Sequence, residues 1–159
     1  MSLPVRKKLP HTIPQWVSEG SWFFTTIKCV PLGKNQLCRA NIGDAALAAM
    51  KHNHDKLLWH CRLCLLMPDH LHAIIAFPRE PGMKKAIKNW KKYLAGKYGV
   101  RWQRDFFDHR LRREESFLEK EDCIRANPVR AGLVRQAEDW PHVWSSRIVG
   151  ATEPSRPTE

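Results

Sequence analysis

The sequence has no apolar stretch long enough to cross a bilayer. The apolar run around Leu63–Met67 is far shorter than the roughly 20 residues of a membrane-spanning helix. The first twenty residues contain three prolines and the basic residues Arg6, Lys7 and Lys8, without an apolar core, so they do not resemble a signal peptide. These absences predict a cytoplasmic protein with no membrane partner.

Cysteine is too sparse and too irregular for a disulfide framework. The five cysteines are odd in number and unevenly spaced, unlike the paired cysteines of small secreted domains. Cys61 and Cys64 form an isolated C-x-x-C within a predicted strand. Because residues three apart on a strand face opposite sides, their sulfurs should diverge. We therefore expect buried thiols here rather than a zinc site.

Acidic residues are missing from positions 81–104, and the whole chain has a formal net charge of +11. Within that segment apolar residues recur at helical spacing, at Met83, Ile87, Trp90 and Leu94, while lysines occupy the opposite surface. Such a basic surface favours a polyanionic partner, and nucleic acid is favoured over a membrane. The expected contacts to backbone phosphates come from Lys88, Lys92, Arg101 and Arg104.

The predicted elements follow the order strand, helix, strand, strand, helix, strand, helix. Strands are expected at 22–30, 57–67, 70–77 and around 106–107, and helices at 41–53, from 81 onward and at 114–125. The last helix should end near Asn127, because the residue before Pro128 avoids helical geometry. This order predicts a ferredoxin-like or RRM-like α+β fold, with two helices on one face of an antiparallel sheet and a further helix that closes the domain.

Three segments are expected along the chain. Residues 1–20 should form an extended basic arm, because their prolines prevent a regular element. Residues 21–149 should form one folded domain, and residues 150–159 a disordered tail.

Two histidines flank one apolar residue in the segment His70-Leu71-His72. Side chains alternate along a strand, so His70 and His72 should point to the same face. Two neutral imidazoles side by side supply half of a metal site. The alternative is a pair of partly exposed histidines without a ligand, since a motif this short recurs by chance.

Two blocks of this sequence resemble the REP-associated tyrosine transposases, a family of HUH single-strand DNA transposases. The first block, Met67-Pro68-Asp69-His70-Leu71-His72, is similar to the family signature MPNH-x-H. The second block, residues 123–134, reads CIRANPVRAGLV and is similar to the family block Y-I-x-x-N-P-x-R-A-G-L-V. Shorter matches at 102–103, 106–109 and 138–141 keep the family's order, so the resemblance covers roughly residues 20–147.

The resemblance implies metal-dependent cleavage and rejoining of single-stranded DNA next to a REP-like hairpin. It implies that Mg²⁺ or Mn²⁺ is held by His70, His72 and Asn127, where the metal would polarise the scissile phosphate. The family nucleophile is a tyrosine one helical turn before the position of Asn127. The basic residues Arg6, Lys7 and Lys8 are then expected to clamp the DNA, and the protein should be a monomer or a weak dimer.

The family tyrosine is replaced by Cys123 in this chain, and the two tyrosines present, Tyr93 and Tyr98, lie in the basic helix. A thiol reaches less far than a phenol oxygen, and attack geometry tolerates errors of only about 1 Å. Sulfur is also a poor partner for a hard cation. We therefore expect that Cys123, although it stands at the catalytic position, does not perform the family reaction.

Three functions remain open from the sequence. The chain is an active transposase or single-strand endonuclease, a catalytically inactive descendant that binds DNA hairpins, or an RRM-type RNA-binding module. The absence of an aromatic RNP1-like block weighs against the third. The identity of residue 123 decides between an active transposase and an inactive DNA-binding descendant.

Overall fold

A computed structural model describes residues 16–17, 21–111 and 115–146, with the side chains of all but residues 115 and 116. The elements in chain order are β1 (Trp22–Lys28), α1 (Ala40–Asp55), β2 (His60–Met67), β3 (His70–Ala76), α2 (Met83–Tyr98), β4 (Phe107–Leu111), α3 (Glu115–Arg130), a 3-10 turn (Ala137–Asp139) and β5 (Val143–Ser145). Up to α3 this is the predicted order. A helix both long and apolar enough to cross a bilayer does not occur among these residues.

The strands form one antiparallel sheet with the spatial order β4-β1-β3-β2-β5. The order of the first four strands is ferredoxin-like and confirms the predicted α+β fold class. The fifth strand was not predicted, because three residues are too few to show an alternating pattern. It extends the sheet by pairing with β2, where Leu63 lies opposite Ser145.

The central strand β3 divides its side chains between the two faces of the sheet. Leu71, Ala73 and Ile75 enter the larger core with α1 and α2, and we call this side the helix face. The predicted stripe of α2 packs into the same core, with Met83 at its edge. His70 and His72 lie on the other side, the histidine face.

Helix α3 packs against the histidine face, alongside β2. Ile124 and Phe117 join a second apolar cluster with strand residues that include Leu65. Arg62 of β2 forms an ion pair with Glu121, whose side chain is buried. The Arg62 guanidinium also lies 4.8 Å from the centre of the Phe117 ring. These contacts fix the position of α3 along the sheet and its rotation about its own axis.

The prediction that α3 ends near Asn127 was wrong. The helix runs through Pro128 to Arg130, because proline removes only its own N–H donor and the restriction on the residue before it is a bias. The helix ends in a Schellman motif: Leu133 N donates to Pro128 O, and Gly132 N donates to Val129 O. Gly132 has φ +77°, a conformation that favours glycine.

The prediction that the sulfurs of Cys61 and Cys64 diverge was also wrong. A bulge between Cys61 and Leu63 shifts the pairing of β2 with β3, and the extra residue returns both cysteines to one face. Both thiols are buried in the larger core. Burial raises the pKa of each thiol well above its usual value, so both are protonated core residues, as expected.

Several sequence predictions fall outside the described residues. Of the arm predicted at 1–20, only residues 16 and 17 are described; both are helical rather than extended, and Val17 is buried. Arg6, Lys7 and Lys8 lie outside the described residues, as does the tail predicted at 150–159.

A second pair of histidines, His54 and His60, lies at the end of the sheet opposite to His70. The rings of His54 and His60 lie 4.5 Å apart, and His54 Nδ1 accepts the Cys61 N–H at 3.1 Å. The His60 ring also meets Trp22 edge-on. Burial, followed by the charges of His54 and Arg62, lowers the pKa of His60 to about 4.

We expect that breaking the buried ion pair lowers stability far more than breaking an exposed one. Glu121→Gln leaves the Arg62 guanidinium without its carboxylate and should lower the free energy of unfolding by about 3–5 kcal/mol. The matched control is Asp55→Asn, which breaks the exposed Lys51–Asp55 pair of α1 and should cost less than about 1 kcal/mol. Urea unfolding measures both, and equal losses would contradict the anchoring of α3 by this pair.

We also expect His60 to make stability depend on pH. The unfolded chain takes up this proton near pH 6.5, whereas the folded chain takes it up near pH 4. Between these values the unfolded state binds more protons, so stability falls as the pH is lowered through the window. His60→Phe keeps an aromatic ring without the titration and should reduce the loss between about pH 7 and pH 4. An unchanged loss in thermal unfolding would refute this role of His60.

Candidate metal and nucleic-acid site

The two histidines of β3 stand side by side with their ring orientations fixed. Their ring centroids are 4.9 Å apart, with 77° between the ring planes. His70 Nδ1 lies 2.7 Å from Asp69 Oδ1, and His72 Nδ1 lies 3.0 Å from Thr26 Oγ1 on β1. Oxygen partners on Nδ1 orient an imidazole so that Nε2 is available to a metal. The adjacent rings confirm the prediction that His70 and His72 share one face of the sheet.

His72 is held in its neutral form. Its ring stacks on Phe24 at 5.5 Å between centroids. Burial lowers the pKa of His72 to about 4, and the charges of His70, Lys28 and Arg130 act in the same direction. At neutral pH His72 is therefore an uncharged imidazole, the form that binds metals.

Asp69 connects the histidines to the loop that follows β1. Its Oδ2 accepts the backbone N–H of Gly33 at 2.6 Å, while Oδ1 contacts His70. Burial raises the pKa of Asp69, but the hydrogen bonds from His70 and Gly33 outweigh it and hold the pKa below its usual value. The carboxylate is therefore ionised and committed to two partners inside the protein.

A cleft of about 540 Å³ opens in front of the histidines. We call it the histidine cleft. Strands β1, β3 and β4, the loop after β1 and the turn before β3 supply its lining, which consists of Thr26, Lys28, Leu32, Asp69, His70, His72 and Phe107. Lys28 lies directly opposite His70 in the sheet. The cleft therefore combines paired imidazoles with the positive charge of Lys28 and the Asp69 carboxylate, whose oxygens contact Gly33 and His70.

The other predicted site residues, Cys123 and Asn127, lie on α3. Arg130 Nη2 donates to Asn127 Oδ1 at 3.2 Å and to Cys123 O at 3.0 Å. The charge of Arg130 also reaches His72. Cys123 is exposed, and neither Cys123 nor Asn127 lines the histidine cleft. The tertiary structure thus places both residues on the helix that packs against the histidine face, with the Asn127 amide oxygen already hydrogen-bonded.

The donor set available to a cation is small. Among the described residues, no group of three or more histidine, cysteine, aspartate or glutamate side chains is arranged to hold a metal. In His70 and His72 the Nδ1 atom contacts an oxygen, which leaves the Nε2 atom of each ring for a ligand. Two imidazoles fit a cation such as Mn²⁺ that takes its other ligands from an amide oxygen, phosphate or water.

Three of the four predicted phosphate contacts in the described residues line one groove between α2 and the segment that leads into β4. This basic groove has a volume of about 830 Å³, and its charged lining consists of Lys84, Lys88, Lys91, Lys92, Arg104, Asp105 and Asp108. Lys91 Nζ donates to the carbonyl oxygens of Gln103 and Arg104, which ties the segment to α2. Positive charges outnumber negative ones in the groove by five to two.

Arg101 is separated from the basic groove. Its backbone N–H donates to Gln36 Oε1, and its carbonyl accepts the N–H of Val30, so it lies beside the loop after β1. The basic groove itself lies on the helix face, because Asp108 pairs with Thr25, the residue before Thr26. The groove and the histidine cleft therefore flank the edge strand β4 from opposite sides.

Comparisons with known proteins identify relatives of this chain. The REP-associated tyrosine transposase of Escherichia coli K12 is 26% identical over 129 residues, which cover 79% of this chain and 76% of that protein. The solved structure of a REP-associated tyrosine transposase bound to a REP hairpin superimposes with a TM-score of 0.67 at 22% identity, over 90% of this chain and 82% of that one. No family model matches the chain.

The chain is similar in sequence to the REP-associated tyrosine transposases. Its fold is that of the REP-associated tyrosine transposase in the solved structure.

Several residues of the site were not found from the sequence. Thr26 and Phe107 reach the histidine cleft only through strand pairing, and Leu32 only through the loop held by Asp69. Arg130 could have been found, because it lies three residues after Asn127 on a helix and side chains at this spacing meet. Asp69 could also have been found, because it precedes His70 directly in the sequence and a carboxylate there can orient the imidazole.

Proposed function

We propose that this protein binds DNA hairpins with an adjoining single strand, and that it does not form the covalent DNA adduct of a tyrosine transposase. The observation that carries the proposal is the histidine cleft. It lies on the sheet face against which α3 packs, and α3 has a cysteine at residue 123. The relationship to the REP-associated tyrosine transposases supports a DNA-binding, transposase-like function. The REP hairpin in the related solved structure supports the choice of a hairpin.

Charge supports a DNA partner on both sides of β4. The basic groove offers Lys88, Lys92 and Arg104, which suit backbone phosphates and position DNA without reading its sequence. The histidine cleft offers Lys28 on the other side of the sheet. A nucleic-acid strand that contacts both would pass around the edge strand β4. An RRM-type RNA complex is disfavoured, because such modules bind bases on an open sheet face whereas α3 packs on this one.

We further propose that His70, His72 and Asn127 hold Mg²⁺ or Mn²⁺ when DNA is bound. A bound cation supplies Lewis acidity to a phosphate oxygen. The protein's part is to orient the two Nε2 atoms through Asp69 and Thr26 and to keep His72 neutral. The Asn127 oxygen has a second lone pair for this role while it accepts from Arg130.

The nucleophile position separates binding from cleavage. Cys123 is exposed, and its thiol reaches less far from the helix than a phenol oxygen would. Tyr93 and Tyr98 belong to α2 on the helix face, so neither can substitute from the histidine face. In this proposal the protein keeps a DNA-binding site and lacks the tyrosine hydroxyl that would attack the DNA phosphorus.

We expect Cys123→Tyr to gain DNA cleavage. Labelled hairpin DNA with a single-stranded flank is incubated with Mn²⁺ and each protein, and then resolved on native and denaturing gels. The wild type should shift the DNA on the native gel without a covalent band, whereas Cys123→Tyr should add a denaturation-resistant band. Leu118→Tyr, an exposed position on the same helix, is the matched control and should form no band. A covalent band with the wild type, or no shift at all, would refute the proposed function.

The metal site is tested by Mn²⁺ calorimetry on the protein–hairpin complex. His70→Ala should lose the Mn²⁺ binding seen with the wild type, because one of the two oriented imidazoles is gone. His109→Ala is the matched control: His109 lies on β4 opposite Phe24, outside the histidine cleft, and its removal should leave binding unchanged. Wild-type binding in His70→Ala would remove this residue from the metal site.

A further inference from the structure

The two large apolar side chains with the greatest exposure among the described residues both line the histidine cleft. Leu32 and Phe107 are each 58% exposed, and every other large hydrophobic residue in that part of the chain is less so. Apolar surface at this exposure is unfavourable in water. Its concentration at a cleft that also contains Lys28 and paired imidazoles indicates a ligand with both an apolar face and a negative charge.

Sheet pairing fixes the position of Phe107 relative to the histidines. Phe107 lies opposite Thr26, and Thr26 lies opposite His72, so all three point to the histidine face. Phe107 and His72 are two strand spacings apart, about 10 Å. Within the described residues no other ring stacks on Phe107, which leaves a face of its ring available.

Leu32 is held in place by its loop. The neighbouring Gly33, at φ +90°, donates its N–H to Asp69, and Gln36 Nε2 donates to Val30 O at 2.9 Å. Gln36 N and Leu37 N both donate to Pro68 O. The leucine is thus presented to the cleft by a closed loop rather than by a free one.

We propose that Phe107 and Leu32 hold one unpaired nucleobase beside the phosphate that faces His70 and His72. This inference rests on the proposed function and deepens it, because it names the substrate state that the cleft accepts. A base in a duplex already stacks on both neighbours, whereas an unpaired base offers its π-face to an aromatic side chain. Lys28 then lies on the side of the backbone phosphate.

Charge favours a nucleotide over an apolar peptide as the occupant. Among the described residues that line the cleft, Asp69 is the only carboxylate, and its oxygens contact Gly33 and His70. Lys28 forms no ion pair with a carboxylate in the described part of the chain. A nucleotide supplies a base for the apolar residues and a phosphate for Lys28.

The experiment uses a hairpin with 2-aminopurine, a fluorescent base, at successive positions of its single-stranded flank. Binding is measured without metal, in EDTA, so that the readout does not depend on cleavage. At one position the wild type should quench the fluorescence by stacking. Phe107→Ala should lose that quenching and weaken binding about tenfold, a typical effect of removing one stacking aromatic residue.

Matched variants separate stacking from a general loss of structure. Phe107→Trp should restore both quenching and affinity, and Leu32→Ala should weaken them independently from the other wall. Leu57→Ala removes an exposed leucine outside the cleft and should change neither. A hairpin without a flank should bind wild type and Phe107→Ala equally.

Two outcomes would overturn the inference, and they differ in what else they imply. If the wild type binds the hairpin and Phe107→Ala matches it in affinity and quenching, the base-holding role is wrong while the proposed function stands. If the wild type binds neither hairpin, the proposed function is wrong and this inference with it.

Discussion

The site depends on the alternation of side chains along β3. Burial of Leu71, Ala73 and Ile75 against α1 and α2 forces His70 and His72 to the opposite face, where Thr26 and Asp69 orient their rings. A slip of one residue would exchange the two sets and place imidazoles in the core. The histidine pair is therefore fixed by the larger core, although it contributes little to it.

The histidine face is only partly covered. Helix α3 is held on this face by Ile124 and the buried Arg62–Glu121 pair, and the same helix carries Cys123 and Asn127. The remaining surface stays open and forms the histidine cleft. The same sheet thus positions an oriented imidazole pair and leaves room for a ligand.

Local charge in the cleft favours a phosphate and a neutral imidazole together. Burial lowers the pKa of His72, and the charges of His70, Lys28 and Arg130 lower it further. Lys28 and Arg130 are each cations that a phosphate can pair with. Asp69 is ionised but is used inside the protein. What the histidine face does not contain is a phenol on α3. In the proposed function, this one difference separates DNA binding from DNA cleavage.

Local sequence patterns by themselves predicted four of the five strands, the facing of His70 and His72 and the stripe of α2, because alternation and helical spacing are local properties. They misjudged Pro128 and the cysteines of β2, because a buried proline and a bulge depend on packing with other strands and helices. Residues far apart in the chain were brought together only by the fold. Phe107 lies on the same face as the histidines because β4 and β3 both pair with β1. The basic groove lies on the opposite face of the sheet. Neither position could be predicted, because the pairing of distant strands is not visible in the local sequence.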